Sequence, residues 1–101
     1  HSKVSANLQM SQIPFLPGAE DLARQGIRST IYEDNFLIKN KMSFVPSAKT
    51  SLLFDPQTSG GLLAAISKEN LEVVRVGLQK SGFCANVIGS ISKGEPFITV
   101  T

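Results

Sequence analysis

The chain has 101 residues, the length of one ordinary domain, with a hydrophobic fraction of 42% and a charged fraction of 18%. This composition is typical of a soluble globular protein with a real core, and it excludes an intrinsically disordered chain. The net charge is only +2, and the sequence contains no basic block, no apolar run of membrane length and no signal peptide. We therefore expect no nucleic-acid partner, no membrane partner and a cytoplasmic location.

The first quarter of the chain predicts a strand followed by a short helix. Apolar and polar residues alternate strictly from Val4 to Ser11, which is typical of a strand with one buried face. Pro17 suits the first turn of a helix, and Gly26 is placed to end it. The packed face of this helix is expected to comprise Ala19, Leu22 and Ala23.

Residues 27–47 keep no clean hydrophobic period. Asn35 and Asn40 interrupt any long helix, so we expect irregular structure with one helical turn near Tyr32 to Leu37. Two apolar runs follow, Leu52 to Phe54 and Leu62 to Ile66. They predict a strand, a constrained loop and a second strand that is buried in the sheet interior.

The loop between these two runs concentrates the polar chemistry of the chain. Pro56 fixes its own φ and biases the preceding residue towards an extended backbone, while the glycine pair can take φ values that are closed to other residues. Backbone amides that such a turn leaves unpaired, with hydroxyl groups beside them, can form a concave nest for phosphate. This candidate phosphate-facing segment comprises Gln57, Thr58, Ser59, Gly60 and Gly61.

A purely structural interpretation of the loop competes with the phosphate site. The Asp55 carboxylate and the hydroxyls can satisfy backbone groups of the turn itself, as in Asx and Ser/Thr turns. We assign Asp55 and Pro56 to holding the turn. No lysine follows the glycines, so the loop is not a Walker loop. Because one carboxylate is a poor magnesium site, we predict no catalytic residue and no metal ligand.

Residues 67 to 82 predict an amphipathic helix. The Ser67 hydroxyl can cap its start, and Lys80 lies in its last turn. Gly82 suits a left-handed C-terminal cap in which Phe83 folds back on Leu78. The packed face is expected to comprise Leu71, Val74 and Leu78.

The end of the chain predicts two further strands. The first runs from Ala85 to Ser92, where Gly89 marks a bulge or a close backbone approach. After a tight turn, Phe97 to Val100 forms the closing strand of a hairpin. Cys84 is the single cysteine, and we expect a small core residue in a reducing compartment. Together these elements predict an α+β fold with helices on a mixed sheet.

The run from Leu52 to Leu63 resembles the signature segment in the second half of selenophosphate synthetases, also called selenide, water dikinases. Its sequence is Leu-Leu-Phe-Asp-Pro-Gln-Thr-Ser-Gly-Gly-Leu-Leu. Leu16 to Ala19, with Ala23 and Gly26, resembles the proline-glycine-alanine helix of that family. Residues 85–89 and the final strands resemble its closing strands, so the resemblance covers nearly the whole chain.

This resemblance implies a fold, a domain organisation and a set of cofactors. Residues 1–101 would form a single domain, the truncated carboxy-terminal domain of a two-domain ATP-dependent synthetase related to aminoimidazole ribonucleotide synthetase. Such domains are three-layer α/β/α arrangements with partly ferredoxin-like topology. The complete enzymes use ATP, magnesium and selenide to make selenophosphate, the selenium donor for selenocysteine synthesis.

The chain also departs from the family pattern. The amino-terminal ATP-binding domain, with its reactive cysteine or selenocysteine and its catalytic lysine, has no counterpart here, and Cys84 matches none of its positions. We therefore expect the fragment to be inactive alone, to bind no cofactor tightly, and to pack against that domain in a homodimeric enzyme. The segment that opens the carboxy-terminal domain in the family is also absent, and without its helix apolar sheet surface should be exposed.

Two other interpretations remain open. The chain could be a non-catalytic binding or interaction module that kept the domain and lost the chemistry. It could also belong to another ATP-dependent enzyme of the same superfamily that acts on a different substrate.

Overall fold

A four-stranded mixed sheet is the framework of the fold, in a computed structural model that describes residues 2–101. Strand β1 (Val4–Leu8) lies in the interior of the sheet. On one side it pairs antiparallel with β3 (Gly89–Lys93), and on the other it pairs parallel with β4 (Phe97–Val100). Strand β2 (Met42–Ser43) pairs parallel with β4 and completes the order β2-β4-β1-β3. The α+β class and the mixed sheet are thus confirmed, while the three-layer arrangement stays a prediction.

The predicted hairpin of the last two strands is wrong, because β1 lies between β3 and β4. The turn that joins them passes over the start of β1. There the Ser5 hydroxyl donates to the carbonyl of Glu95 at 2.7 Å, and the Gly94 N–H donates to the carbonyl of Lys3 at 3.3 Å. A tight turn in the sequence shows that two strands lie near each other, but it does not show whether a third strand separates them.

Strand β3 begins at Gly89, later than the predicted start at Ala85. The predicted close backbone approach is confirmed, because a Cβ atom on Gly89 would overlap the carbonyl oxygen of Asn7 on β1. At the other end of the chain, the strand predicted from Val4 to Ser11 ends at Leu8 and is followed by a 3₁₀ turn at Met10–Gln12.

The helices α1 (Ala19–Arg24) and α4 (Leu71–Lys80) end in the same way. In each, a glycine with positive φ follows the last turn, at +80° for Gly26 and +82° for Gly82. Just beyond it, the N–H of Phe83 donates to the carbonyl of Leu78 at 3.0 Å. In α1 the N–H of Ile27 donates to the carbonyl of Leu22 at 3.1 Å. Both are Schellman ends, as the two glycines predict.

Three details of α4 differ from the prediction. Ser67 does not cap the helix with its hydroxyl, because a 3₁₀ turn at Lys68–Asn70 comes first and that hydroxyl accepts from the Asn70 amide at 3.0 Å. The Phe83 side chain is 64% exposed, so only its backbone secures the helix end. On the predicted packed face of α4, Leu71 and Val74 are half-buried and Leu78 is exposed.

The segment expected to be irregular holds more structure than predicted. The helical turn is confirmed as α2 (Tyr32–Phe36), which continues as a 3₁₀ helix at Leu37–Lys41. Strand β2 follows directly, and its two residues are too few to show an alternating pattern. Helix α3 (Ala48–Ser51) then begins at a capping box, in which Ser47 and Thr50 bond each other's backbone.

The hydrophobic core is small. Among the described residues, the buried apolar side chains are Ala23, Phe54 and Val100. Of the predicted face of α1, Ala23 is buried, whereas Leu22 is 49% exposed. Cys84 is exposed, which corrects the prediction that it lies in the core. Apart from His1, which the structure does not describe, the chain forms no helix with the length and apolar character needed to cross a membrane.

Candidate functional site

The segment before the polar loop is a 3₁₀ helix at Leu52–Phe54, not the strand that was predicted. Helix α3 runs directly into it, because the capping box at Ser47 fixes a helical backbone that the apolar triplet continues. Asp55 then leaves the helix with an extended backbone, at φ −70° and ψ 130°. That conformation is the one that the following proline favours.

Phe54 anchors the base of the loop. Its side chain is 3% exposed and packs edge-on against Phe36, with ring centroids 4.9 Å apart. Rings of Tyr32 and Phe44 complete an aromatic cluster around it. The Phe54 carbonyl accepts a hydrogen bond from the Asn35 side-chain amide at 2.9 Å. Helix α2 therefore holds the loop through both an apolar contact and a polar one.

The loop itself is folded around the Gln57 side chain. The Gln57 Nε2 donates to the Asp55 carboxylate at 3.0 Å, in an exposed hydrogen bond. The same side chain lies over Gly60, where a Cβ atom would come within 3.0 Å of the Gln57 Cβ. Neither Gly60 nor Gly61 has a positive φ. Close approach of a side chain, not a left-handed backbone, is thus what favours a glycine at position 60.

The hydrogen-bond donors of the candidate segment face solvent. Residues 57–61 are exposed, and in the described part of the chain nothing accepts a hydrogen bond from their backbone amides or from the hydroxyls of Thr58 and Ser59. The Ser/Thr turns of the purely structural interpretation are therefore not formed. These donors are free to bind an anion or water.

Residues 62–66 do not form the buried interior strand that was predicted. They have no ladder partner, Leu62 is fully exposed and Leu63 is 78% exposed. An uninterrupted apolar run indicates burial only when a second surface covers it, and the described residues supply none here.

Two carboxylates line a depression beside the loop. It is bordered by Asp34 and Asn35 of α2, by Ile38, and by Leu53, Phe54 and Asp55. Sequence reasoning missed Asp34 and treated Asn35 only as a helix interrupter, since their position becomes clear only when α2 packs beside the loop. Within residues 2–101, no group of three or more His, Cys, Asp or Glu side chains is placed to hold a metal ion.

These residues fit only part of a nucleotide site. Free amides and hydroxyls can bind phosphate oxygens, but no lysine or arginine occurs between residues 50 and 66 to balance the charge. The two carboxylates do not form a complete magnesium site, because Mg²⁺ requires near-octahedral oxygen coordination. The loop can therefore donate hydrogen bonds to a phosphate group, but it contains no cationic side chain to balance the phosphate charge.

Curated relatives match this chain over almost its whole length, whereas no protein-family model matches it. The chain is 32% identical to the selenide, water dikinase of Clostridioides difficile (strain 630) over 105 residues, covering 98% of this chain and 30% of the relative. It is 35% identical to the selenide, water dikinase of Pseudomonas straminea over 104 residues, covering 98% and 29%. For that of Enterobacter sp. (strain 638), the identity is 34% over 101 residues, covering 96% and 29%.

The matched stretch thus spans almost the whole of this chain, and the chain spans about three tenths of the length of these relatives. The chain belongs to the selenide, water dikinase family.

Proposed function

We propose that this chain is the carboxy-terminal domain of a selenide, water dikinase, and that it has no activity by itself. The complete enzyme would use ATP, magnesium and selenide to make selenophosphate for selenocysteine synthesis. The observation that carries this proposal is the similarity to relatives of that name across 96–98% of the chain. No lysine or arginine lies between residues 50 and 66, and the carboxylates beside the loop do not form a complete magnesium site. Both observations support the expectation that the chain is inactive alone.

In the complete enzyme, residues 57–61 would face the phosphate groups of ATP in the cleft between two domains. Their exposed amides and hydroxyls, which have no described partner, supply the donors. Phe54 and Asn35 would hold the loop at a fixed position relative to α2. ATP and magnesium would be held mainly by the amino-terminal domain, which supplies the charge that this loop lacks.

The large accessible surface of the chain supports the proposal that a large partner covers part of it. A folded monomer of 10.9 kDa is expected to expose about 5,600 Å², whereas this chain exposes 7978 Å². We propose that the amino-terminal domain covers much of this excess, in an enzyme that is a homodimer. The unpaired, exposed thiol of Cys84 supports a reducing, cytoplasmic location.

A chimeric enzyme tests the proposed function. This chain would replace the matching 105-residue stretch of the Clostridioides difficile relative, and selenophosphate formation from ATP and selenide would be followed by ³¹P NMR. We expect the chimera to form selenophosphate and this chain alone to form none. The chimera carrying Phe54→Ala serves as a control, because loss of the loop anchor should lower its activity.

Two results would contradict the proposal. One is a folded chimera that binds ATP and makes no selenophosphate, which would favour a non-catalytic interaction module or a related enzyme with another substrate. The exposed apolar side chains fit such a module equally well. The other is selenophosphate formation by the isolated chain.

A further inference from the structure

A second pocket, of about 320 Å³, lies between α4, the turn after β1 and the segment before β3. Its polar lining consists of Ser11, Gln12, Arg75 and Asn86, and its apolar lining includes Ile13 and Val87. No acidic residue lines it. Its volume is at the lower end of the range for small-molecule sites, which suits one small polar group rather than a nucleotide.

Arg75 is the charged residue of this pocket. Its side chain is 36% exposed, and its Nη1 donates to the Glu72 carboxylate at 2.6 Å. The Nε of the same guanidinium is buried and has no hydrogen-bond partner among the described residues. A buried donor without an acceptor is unfavourable. The Arg75 guanidinium is therefore held by Glu72 through Nη1, while its Nε has no acceptor among the described residues.

We propose that this pocket binds a single oxyanion group, a carboxylate or a phosphate, with Arg75 as its cation. The planar fork of a guanidinium matches either group and binds it through two parallel hydrogen bonds. Gln12 and Asn86 add amide donors at the rim, and Ser11 adds a hydroxyl. These three side chains carry no charge that would repel the anion.

Glu72 is the competitor of the anion. Its carboxylate is 73% exposed, and an exposed pair of this kind contributes little to stability. Replacing the Glu72 carboxylate by an incoming oxyanion as the partner of Arg75 therefore costs little free energy. It also lets the guanidinium turn so that Nε gains an acceptor. Removing the Glu72 charge should strengthen binding, while removing the Arg75 charge should weaken it about tenfold or more.

This proposal does not depend on the proposed function. The pocket shares no residue with the loop at 57–61 or with the aromatic cluster, so its test can succeed or fail whether or not the chimera is active.

The test is an NMR titration of the ¹⁵N-labelled 101-residue chain with inorganic phosphate, with acetate, and with sodium chloride at matched ionic strength. We expect saturable shifts of the Arg75 side-chain N–H signal and of the Asn86 and Gln12 amides with phosphate or acetate. Preference for phosphate would identify a phosphate site, and preference for acetate would identify a carboxylate site. Equal shifts with chloride, or no shifts at all, would overturn the proposal.

Variants locate the site. We expect Arg75→Gln to weaken binding about tenfold or more, and Glu72→Gln to tighten it about threefold. Arg75→Lys keeps the charge without the fork and should fall between wild type and Arg75→Gln. The matched control is Arg24→Gln, which removes another helix arginine that is paired with a glutamate, Glu20, at 2.7 Å and which should bind like wild type.

Circular dichroism spectra would verify that each variant is folded. Binding by Arg75→Gln that equals wild type, or weaker binding by Glu72→Gln, would overturn the assignment of Arg75 as the anion's cation.

Discussion

The conformation of the polar loop depends more on the residue before it than on the carboxylate within it. Phe54 is buried in an aromatic cluster and its carbonyl is bonded by Asn35. The Asp55 carboxylate makes one exposed hydrogen bond, to the Gln57 side chain. The sequence predicts the extended backbone at Asp55, because that follows from the next proline. It does not predict the partner of Phe54, because the aromatic residues of the cluster are spread over more than twenty positions.

Substitutions of these two neighbours should therefore differ in their cost. Phe54→Ala is expected to lower the free energy of unfolding by about 3–5 kcal/mol, because it opens a cavity in the core. Asp55→Ala is expected to lower it by less than about 1 kcal/mol, because it removes one exposed hydrogen bond. Urea denaturation measures both. Phe83→Ala, at a phenylalanine that is 64% exposed, is the control and should have little effect. Equal losses for Phe54→Ala and Asp55→Ala would contradict this ranking.

At the scale of elements, local signals in the sequence predicted the structure where local physics decides it. The glycines at 26 and 82 end two helices because each takes a positive φ, and the alternation from Val4 onward marks β1, whose apolar residues Val4, Ala6 and Leu8 are half-buried. The strand predicted at 62–66 and the hairpin failed for a common reason. Both depend on which strand lies next in the sheet, and a pattern within one segment does not contain that information.

Two glycines, one inside α4 and one just beyond its end, offer a matched pair of substitutions with opposite signs. Gly77 lies inside the helix with open space where a Cβ would be, so Gly77→Ala should raise the free energy of unfolding by about 0.5–1 kcal/mol. Gly82 has a φ of +82°, so Gly82→Ala should lower it by about 1–2 kcal/mol. Thermal and urea denaturation would measure both changes. A stabilising Gly82→Ala would show that the helix end is not a left-handed cap.

At the scale of the whole molecule, the fold has more surface than its size requires. Large apolar side chains such as Leu16 and Leu62 are exposed, and few residues are fully buried. The sequence alone indicated enough apolar residues for a core, but composition does not show whether they reach one. On the sheet, where exposed apolar surface was expected, Ile91 and Phe97 are exposed, and their cover by another domain is a proposal.

We expect the isolated chain to self-associate through the apolar run at 62–66, because no described residue covers it. Sedimentation velocity should show a mean mass that rises with concentration, and the double variant Leu62→Ser/Leu63→Ser should reduce that rise without loss of stability. Leu16→Ser is the control, at another leucine that is 80% exposed. A chain that stays monomeric at high concentration would contradict the expectation, and an equal effect of Leu16→Ser would show that the run at 62–66 has no special part.

We propose above that this chain is a domain of a dikinase in which residues 57–61 face phosphate. The most direct measurement is a magnesium-ATP titration of the chimera, with ¹⁵N label confined to this chain, following the backbone amides of residues 57–61. We expect saturable shifts at those amides, with smaller shifts at Gly77, which serves as an internal reference. A chimera that binds ATP while the amides of 57–61 keep their positions would contradict the claim and leave the loop a structural turn.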